Sequence, residues 1–304
     1  MHHRRGRIAW ERNPLPPGAS PPYGRRVPEP SLEVLVPTAD RPADLAVTLA
    51  GLAAQDLPFG VLLSDQSLRS PAGDAPAVRA MLRVLESQGR PVDLVRHLPR
   101  RGLAEQRDAL LQRSRADRVL YLDDDVWLAP GAVATLMTAL TEHGGGFVGM
   151  APQGLSFLDD VRPHEHMPFE RWSGPVEAER VRPGTAAFER WRLHNAANLV
   201  HLAAAVGATE DAPVAYRVAW IGACVLYERA ALVEAGGFGF WRDLPAEHAG
   251  EDVVVQWRIL ERRGGAGLLP SLAVHLESPT TIPVRDADAV AVVFGREPVP
   301  APAP

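Results

Sequence analysis

Three consecutive carboxylates, Asp123, Asp124 and Asp125, follow the short apolar run 119–122. Adjacent negative charges repel one another, and Mg²⁺ or Mn²⁺ can compensate them, since these cations take one or two protein carboxylates together with phosphate oxygens. Side chains at positions i and i+2 of an extended chain point to the same face, so we expect Asp123 and Asp125 to address one ligand together. The alternative is a solvated acidic turn ahead of the next helix.

A second pair of carboxylates, Glu251 and Asp252, stands immediately before an apolar helical pattern that starts at Val253. A partly desolvated carboxylate beside a substrate hydroxyl can accept its proton, which makes Asp252 a candidate general base. A carboxylate at this position can instead cap the helix and interact favourably with its dipole. The local sequence leaves both interpretations open.

The elements that would position these residues alternate along residues 31–150. Apolar runs predict strands at 32–36, 61–63, 92–95 and 119–122, and helical spacing predicts helices at 44–55, 77–88 and 103–113. This order predicts an α/β fold with a mostly parallel central sheet flanked by helices. Ligands of such sheets bind at the carboxyl ends of the strands, so we expect Pro37, Thr38, Asp65 and the three aspartates on one edge.

After residue 149 the pattern is less regular. The sequence predicts one helix at 185–206, a strand at 218–227, helices at 229–235 and 253–263, and a late strand at 271–274. The intervening segment 151–215 is rich in His, Arg, Trp and Pro, and its His164 and His166 form a weak candidate metal pair. Its other notable side chains would stack on sugars, bind phosphate or pack the segment onto the core; they are Arg171, Trp172, Arg190 and Trp191.

Composition excludes several classes of protein. The 304 residues include 32 basic and 37 acidic side chains, a net charge of −5, which argues against sequence-independent nucleic-acid binding. Every basic residue is arginine, so Schiff-base, pyridoxal-phosphate and Walker lysines are impossible. The single cysteine, Cys224, excludes internal disulfides and multi-cysteine zinc sites.

The apolar runs bear on location. None approaches the roughly 18 to 20 residues of a membrane-spanning helix, and Pro-rich sequence follows the basic start where a signal peptide would have an apolar segment. We therefore expect a cytoplasmic protein without a transmembrane segment. Peripheral contact with a membrane stays compatible with the sequence.

Short motifs follow one another in a characteristic order. The first motifs are Leu-Val-Pro-Thr at 35–38, followed by Arg41 and Leu45, then Leu-Leu-Ser-Asp-Gln-Ser at 62–67 and Arg-Gly-Leu-Ala-Glu-Gln-Arg-Asp at 101–108. Next comes Tyr-Leu-Asp-Asp-Asp at 121–125, followed by Pro130 and Gly131. The last are Ile-Gly-Ala at 221–223, Gly-Gly-Phe at 236–238, Gly-Glu-Asp at 250–252, and His275. In this order and spacing, residues 31–150 and 216–280 resemble the family 2 glycosyltransferases, which are nucleotide-sugar enzymes with a GT-A fold. The resemblance implies a Rossmann-like nucleotide-binding half and an acceptor-binding half.

The resemblance also implies a role for each matching residue. Thr38, Arg41 and Asp65 would bind the base and ribose of the donor, Arg107 would approach the base or diphosphate, and Asp123 would contact the ribose or the metal. Pro37 and Asp124 would belong to the same nucleotide-sugar site. Asp125 would ligate Mn²⁺ or Mg²⁺, Asp252 would be the catalytic base supported by Glu251, and His275 matches a position that completes the metal site in some members. When the resemblance to the family is left aside, a single His beside a strand is more often a structural residue than a metal ligand.

This chain also departs from the family pattern. Ser64-Asp65 stands where two aspartates are usual, which leaves open whether the nucleotide of the donor is UDP, GDP or dTDP. Arg107-Asp108 stands where Arg-Asn is usual. Gln256-Trp257-Arg258 only superficially resembles the Gln-x-x-Arg-Trp motif of processive synthases, so a polymer synthase is not expected.

The resulting hypothesis is a metal-dependent inverting glycosyltransferase. It would move a sugar from a nucleoside diphosphate sugar to a hydroxyl of a saccharide, lipid-linked or small-molecule acceptor. The alternatives are a nucleotidyltransferase and a non-catalytic nucleotide-sugar-binding domain. The predicted organisation is a flexible segment 1–30, a nucleotide-sugar half 31–150, an acceptor or partner insertion 151–215, an acceptor and catalytic half 216–290, and a Pro-rich tail 291–304.

Overall fold

The computed structural model describes residues 31–281 and 287–295. The predicted flexible segment 1–30 and most of the predicted Pro-rich tail lie outside the described residues. The strands are β1 Leu32–Thr38, β2 Gly60–Asp65, β3 Val92–Arg96, β4 Arg118–Leu122, β5 Val126–Leu128, β6 Phe147–Gly149, β7 Gln153–Gly154, β8 Val214–Tyr216, β9 Cys224–Glu228, β10 His248–Ala249, β11 Ala266–Leu269, β12 Ala273–His275 and β13 Ala287–Asp288. The α-helices are α1 Pro42–Ala53, α2 Pro76–Ser87, α3 Leu103–Arg113, α4 Ala132–His143, α5 Leu199–Val206, α6 Arg229–Glu234, α7 Glu251–Arg263 and α8 Ala289–Phe294.

Eight strands form the central sheet in the order β3-β2-β1-β4-β9-β6-β11-β8. The first four in that order run parallel, β9 runs antiparallel to β4 and β6, and β8 runs antiparallel to β11. The predicted α/β fold with a mostly parallel sheet is therefore confirmed. The first strand–helix–strand units follow the sequence closely, since their apolar periodicity is strong.

Both faces of the sheet are covered by apolar layers. Along β1, Leu35 belongs to one buried cluster, while Val34 and Val36 belong to the cluster on the opposite face. Alternate residues of β4 divide in the same way. Burial on both faces explains why these strands appear in the sequence as unbroken apolar runs.

A small three-stranded sheet, in the order β5-β12-β7, adjoins the carboxyl end of β4. Within it His275 pairs in register with Val126 on one side and with Gly154 on the other. The three aspartates occupy the turn between β4 and β5, where the Val126 amide donates to the Asp123 carbonyl at 3.3 Å. The expectation of extended chain at residues 123–125 is therefore wrong, because the chain reverses there to enter the small sheet.

The predicted helix 185–206 is also wrong as a single element. A 3₁₀-helix covers 188–194 and α5 begins at Leu199. Asn195 has an extended ψ of 131° and its side chain accepts from the Ala197 amide at 3.2 Å, while the buried Asn198 donates to the Arg192 carbonyl at 2.9 Å. Asparagine side chains that bond to nearby backbone compete with continuous helix.

No helix within the described ranges has both the length and the apolar character needed to cross a bilayer.

Candidate active site

Two adjoining cavities open at the carboxyl edge of the parallel strands. The first, of about 420 Å³, is lined by Pro37, Thr38, Arg41, Gln66, Arg100, Gln106, Asp123 and Asp124, among others. The second, of about 490 Å³, is lined by residues that include Arg41, Arg107, Asp123, Asp125, Glu251, Asp252 and His275. Arg41 and Asp123 line both, so the cavities form one continuous site. All the predicted site residues except Asp65 line one of the two cavities.

The acidic turn is held by Arg41 and Thr38. The Arg41 guanidinium donates to Asp124 Oδ1 at 2.6 Å and also to Asp125 Oδ2, and the Thr38 hydroxyl donates to Asp124 Oδ2 at 2.6 Å. Burial raises the pKa of Asp124 to about 7, although Arg41 opposes this rise. The turn thus combines a fixed carboxylate, Asp124, with two carboxylates that face the second cavity.

Arg107 joins the acidic turn to the start of α7. Its guanidinium is buried and donates to Asp123 Oδ1 at 2.8 Å, and it forms an ion pair with Glu251 Oε1 at 3.2 Å. The carboxyl end of β4 and the amino end of α7 are therefore fixed to each other by one side chain. With both ends of its planar fork in use, Arg107 acts here as a bridge between two carboxylates.

We expect Arg107→Met to destabilise the protein by about 3 to 5 kcal/mol, since it leaves the Glu251 and Asp123 carboxylates without their cation. Arg113→Met is the matched control, because Arg113 pairs with Asp93 at the surface and both are largely exposed. The control should cost less than about 1 kcal/mol. Urea denaturation of both variants measures the difference, and equal costs would contradict the bridging role.

Asp252 lies in the first turn of α7 and faces the second cavity. The cap position belongs to Gly250, at φ 83°, and no side chain forms a cap hydrogen bond there. The Asp252 carboxylate accepts from the Val253 amide at 2.8 Å. Burial and the neighbouring Glu251 raise the pKa of Asp252 to about 6, while Arg107 lowers it. A raised pKa and an open cavity make Asp252 a candidate proton acceptor, and a helix cap alone requires neither feature.

The loop that faces Asp252 depends on residues that the sequence analysis did not select. Strand β9 begins only at Cys224, so the predicted strand 218–227 is wrong over its first half. The buried Gln256 amide accepts from Ile221 N at 2.8 Å and donates to Ile221 O at 2.6 Å, and Trp257 Nε1 donates to Ala219 O at 3.1 Å. These side chains satisfy backbone groups that a strand would have paired.

The same loop brings Gly222 against the candidate base. A Cβ at Gly222 would lie 3.6 Å from Asp252 Oδ2. One feature of the sequence could have indicated this loop, namely Gln256 on the otherwise apolar face of the helix 253–263, because a buried amide needs hydrogen-bond partners. His248 is another residue that was missed: it lines the second cavity, and its Nε2 accepts from the Ala104 amide at 3.1 Å.

Asp65 is the predicted site residue that the structure does not bring to either cavity. It is buried and accepts from the Ser67 and Ala72 amides, each at 2.8 Å, and from Arg96 at 2.9 Å. Its oxygens are therefore used to fold the chain that follows β2. Gln66, one residue later, lines the first cavity instead.

His275 lies beside Asp125, with its Nε2 3.6 Å from Asp125 Oδ2. Its Nδ1 accepts from the Glu277 amide at 2.8 Å. Since a backbone N–H can only donate, the proton of the neutral ring is on Nε2, which then has no lone pair for a cation. Metal-ligating histidines usually donate through their second nitrogen, so this conformation suits His275 as a hydrogen-bond donor.

The insertion 151–215 shows no metal centre. His164 is 79% exposed, and burial lowers the pKa of His166. Within residues 31–281 and 287–295, no three His, Cys, Asp or Glu side chains converge as a metal site. Arg190 pairs with Glu170 and Glu179, and the Arg217 guanidinium lies 3.7 Å from the Trp172 ring. The Arg190 ion pairs lie within the insertion, and the buried Trp172, with Arg217 over its ring, packs the insertion onto the core.

Comparison with known proteins gives a family and several distant structures. The model of the family described as Glycosyl transferase family 2 matches residues 33–199, more than half of the chain. Curated proteins give no match. A mannosyltransferase from Pyrobaculum calidifontis, in complex with GDP-Man and Mn²⁺, is 19% identical with a TM-score of 0.49, and the match covers 79% of this chain and 56% of that one. TarS 1–349 from S. aureus, in complex with UDP-GlcNAc, is 15% identical with a TM-score of 0.47, and the match covers 78% of this chain and 55% of that one. This chain thus spans little more than half the length of these two chains.

Proposed function

Because this chain belongs to glycosyl transferase family 2, we propose that it is a metal-dependent, inverting glycosyltransferase. It transfers a sugar from a nucleoside diphosphate donor to a hydroxyl of an acceptor. The observation that best supports this proposal is the position of Asp252, a carboxylate with a pKa of about 6 in the cavity that also contains Asp123 and Asp125. One continuous site thereby combines a proton acceptor with the acidic turn.

The donor occupies the first cavity, at the carboxyl ends of β1 and β4. Arg100 lines this cavity and supplies positive charge for a diphosphate, while Arg41, whose two amino groups already bind the acidic turn, adds charge at its edge. Thr38, Gln66 and Gln106 supply polar groups for base and ribose. Arginine suits phosphate because its planar donors match two oxygens at once. UDP, GDP and dTDP sugars remain the candidate donors.

The acceptor hydroxyl approaches from the side of Asp252. Asp252 takes the proton of the hydroxyl as its oxygen forms a bond to the anomeric carbon, and the bond from that carbon to the diphosphate oxygen breaks on the opposite face. The electron pair leaves with the nucleoside diphosphate, and the configuration at the anomeric carbon inverts. The ion pair of Arg107 with Glu251 fixes the start of α7, and these two residues have opposite effects on the pKa of Asp252.

The donor groups in the site fit a divalent cation that is only partly ligated by protein. Asp125, with Asp123 beside it, offers hard carboxylate oxygens, while His275 in its present conformation offers no lone pair. Two protein carboxylates completed by phosphate oxygens match the usual preference of Mg²⁺ and of Mn²⁺. When bound, the cation would neutralise the negative charge that develops on the leaving diphosphate.

Product analysis tests this proposal. We expect the protein to release nucleoside diphosphate from one member of a panel of UDP, GDP and dTDP sugars in the presence of Mn²⁺, and to lose this activity when EDTA is added. Release of pyrophosphate would instead indicate a nucleotidyltransferase. Binding of a sugar nucleotide without any turnover, across the panel and with acceptors present, would indicate a non-catalytic binding domain.

A further inference from the structure

An exposed apolar patch lies in the first part of the insertion. Exposed large apolar side chains cluster within residues 155–167, and we use the term apolar patch for this set: Leu155, Phe157, Leu158, Val161 and Met167. Their exposed fractions range from 37% for Phe157 to 68% for Met167. Large apolar side chains scattered singly over a surface need no explanation, whereas five of them within residues 155–167 make this segment a candidate binding surface.

The patch begins beside a strand that lines the second cavity. Gly154, the residue immediately before the patch, pairs in register with His275, which lines the cavity of Asp252. The Phe157 ring packs over Gly154, where a Cβ would come within 2.7 Å of the ring. The patch therefore starts one residue after a strand that pairs with the cavity wall.

The segment is also fixed to that wall. The Glu277 carboxylate, two residues after His275, accepts from the Ser156 amide at 3.2 Å and from the Ser156 hydroxyl. Ser156 lies between two patch residues, so these hydrogen bonds hold the start of the patch at the end of β12.

The charged residues of the segment and the small size of the patch limit the kinds of molecule that could bind there. Asp159, Asp160 and Glu165 lie within the same segment, and Arg162 donates to Asp160 at 3.0 Å. Such a surface lacks the excess positive charge that binds anionic lipid headgroups. Five side chains also fall short of the 20 to 30 residues that a stable dimer typically buries on each side (about 800 Å²).

We infer that the apolar patch binds the aglycone of the acceptor, so that the acceptor is a sugar or alcohol carrying an alkyl or similar apolar group. The inference rests on the proposed function, since it places the reacting hydroxyl at Asp252 and the apolar group along residues 155–167. An octyl glycoside should therefore be preferred over the methyl glycoside of the same sugar.

A thiol-reactive, polarity-sensitive fluorophore tests binding without relying on activity. Cys224 is buried and is the single cysteine of the chain, so Leu158→Cys introduces an accessible thiol. Val47→Cys, on α1, is the matched control, because Val47 is 41% exposed and Leu158 is 44% exposed. Octyl glucoside and octyl mannoside, below their micelle concentrations, should shift the emission to the blue at position 158 and leave position 47 unchanged. The methyl glycosides should shift neither.

Three results in the binding experiment would overturn the inference. They are an equal response at the two positions, a shift at position 158 with phosphatidylcholine vesicles in place of glycoside, and a shift that depends on protein concentration alone. The second would indicate a membrane surface, and the third would indicate a second copy of the chain.

An activity assay tests the same inference in a second way. In the nucleoside diphosphate release assay, octyl glycosides should have a KM about tenfold lower than methyl glycosides, the effect of fully burying between one and two of the additional methylenes on the open patch. The double variant Leu155→Ser/Leu158→Ser should lose that preference and keep the KM of the donor, whereas Val47→Ser should keep both. Donor turnover with no preference for octyl would refute the inference alone. A fluorophore shift without any donor turnover would refute the proposed function.

Discussion

Replacement of the Asp252 carboxylate by an amide, Asp252→Asn, should reduce sugar transfer by about 10² to 10⁴, the usual contribution of a positioned general base. Asparagine keeps the size of the side chain and can still accept from the Val253 amide, but it cannot take a proton at neutral pH. Binding of the donor should be unchanged, because Asp252 lines the second cavity and not the first. Parallel measurement of kcat and of donor affinity in both proteins checks this prediction.

The thermal stability of Asp252→Asn distinguishes a catalytic role of Asp252 from a structural one. The pKa of Asp252 in the folded protein is about 6, above its usual 3.8, so protonation of Asp252 stabilises the fold at low pH and this contribution is lost as pH rises through 6. Asp252→Asn should therefore have a Tm equal to or above that of the wild type at pH 7.5. A lower Tm together with transfer within about threefold of wild type would contradict the base assignment and indicate a structural role.

The pH dependence of the wild type gives a further check on the same residue. A general base must be ionised, so kcat/KM should fall as pH decreases through about 6. Glu251 raises this pKa, Arg107 lowers it, and Asp123 and Tyr227 interact with Asp252 electrostatically. The residual activity of Asp252→Asn should not show this fall in kcat/KM as pH decreases through about 6.

The second large effect concerns Asp125. Asp125→Ala should abolish the Mn²⁺-dependent stabilisation by a nucleoside diphosphate, which for the wild type is about 2.7 kcal/mol at 100 times the Kd. The fold should persist, because the substitution removes one of three mutually repelling carboxylates and Arg41 keeps its bond to Asp124. Thermal unfolding with UDP or GDP, with and without Mn²⁺, measures the effect.

A surface aspartate serves as the control for this substitution. Asp93→Ala removes a carboxylate on β3 that pairs with Arg113, lines neither cavity of the candidate site and is 43% exposed. It should leave the Mn²⁺-dependent stabilisation intact. If Asp125→Ala and Asp93→Ala respond to the nucleotide and Mn²⁺ alike, Asp125 is not a metal ligand.

Most of the predicted site residues line the two cavities because they stand at the ends of strongly patterned elements. Thr38 ends β1, the acidic turn follows β4, and Glu251 and Asp252 begin α7. Such positions follow from periodicity within a few residues and from the rule that parallel strands bind ligands at their carboxyl ends. Sequence reasoning failed at 185–206 and 218–223, where single asparagine and glutamine side chains replace the expected backbone pairing.

The sequence by itself therefore determined the strand–helix order, the edge of the sheet that holds the site, and the carboxylates available for chemistry. The tertiary structure decided which polar atoms meet. It placed Arg107 between Asp123 and Glu251, used the oxygens of Asp65 to fold its own loop, and set the proton of His275 through the Glu277 amide. Hydrogen-bond partners depend on distances of a few tenths of an ångström between residues far apart in the chain, and these distances are set by packing.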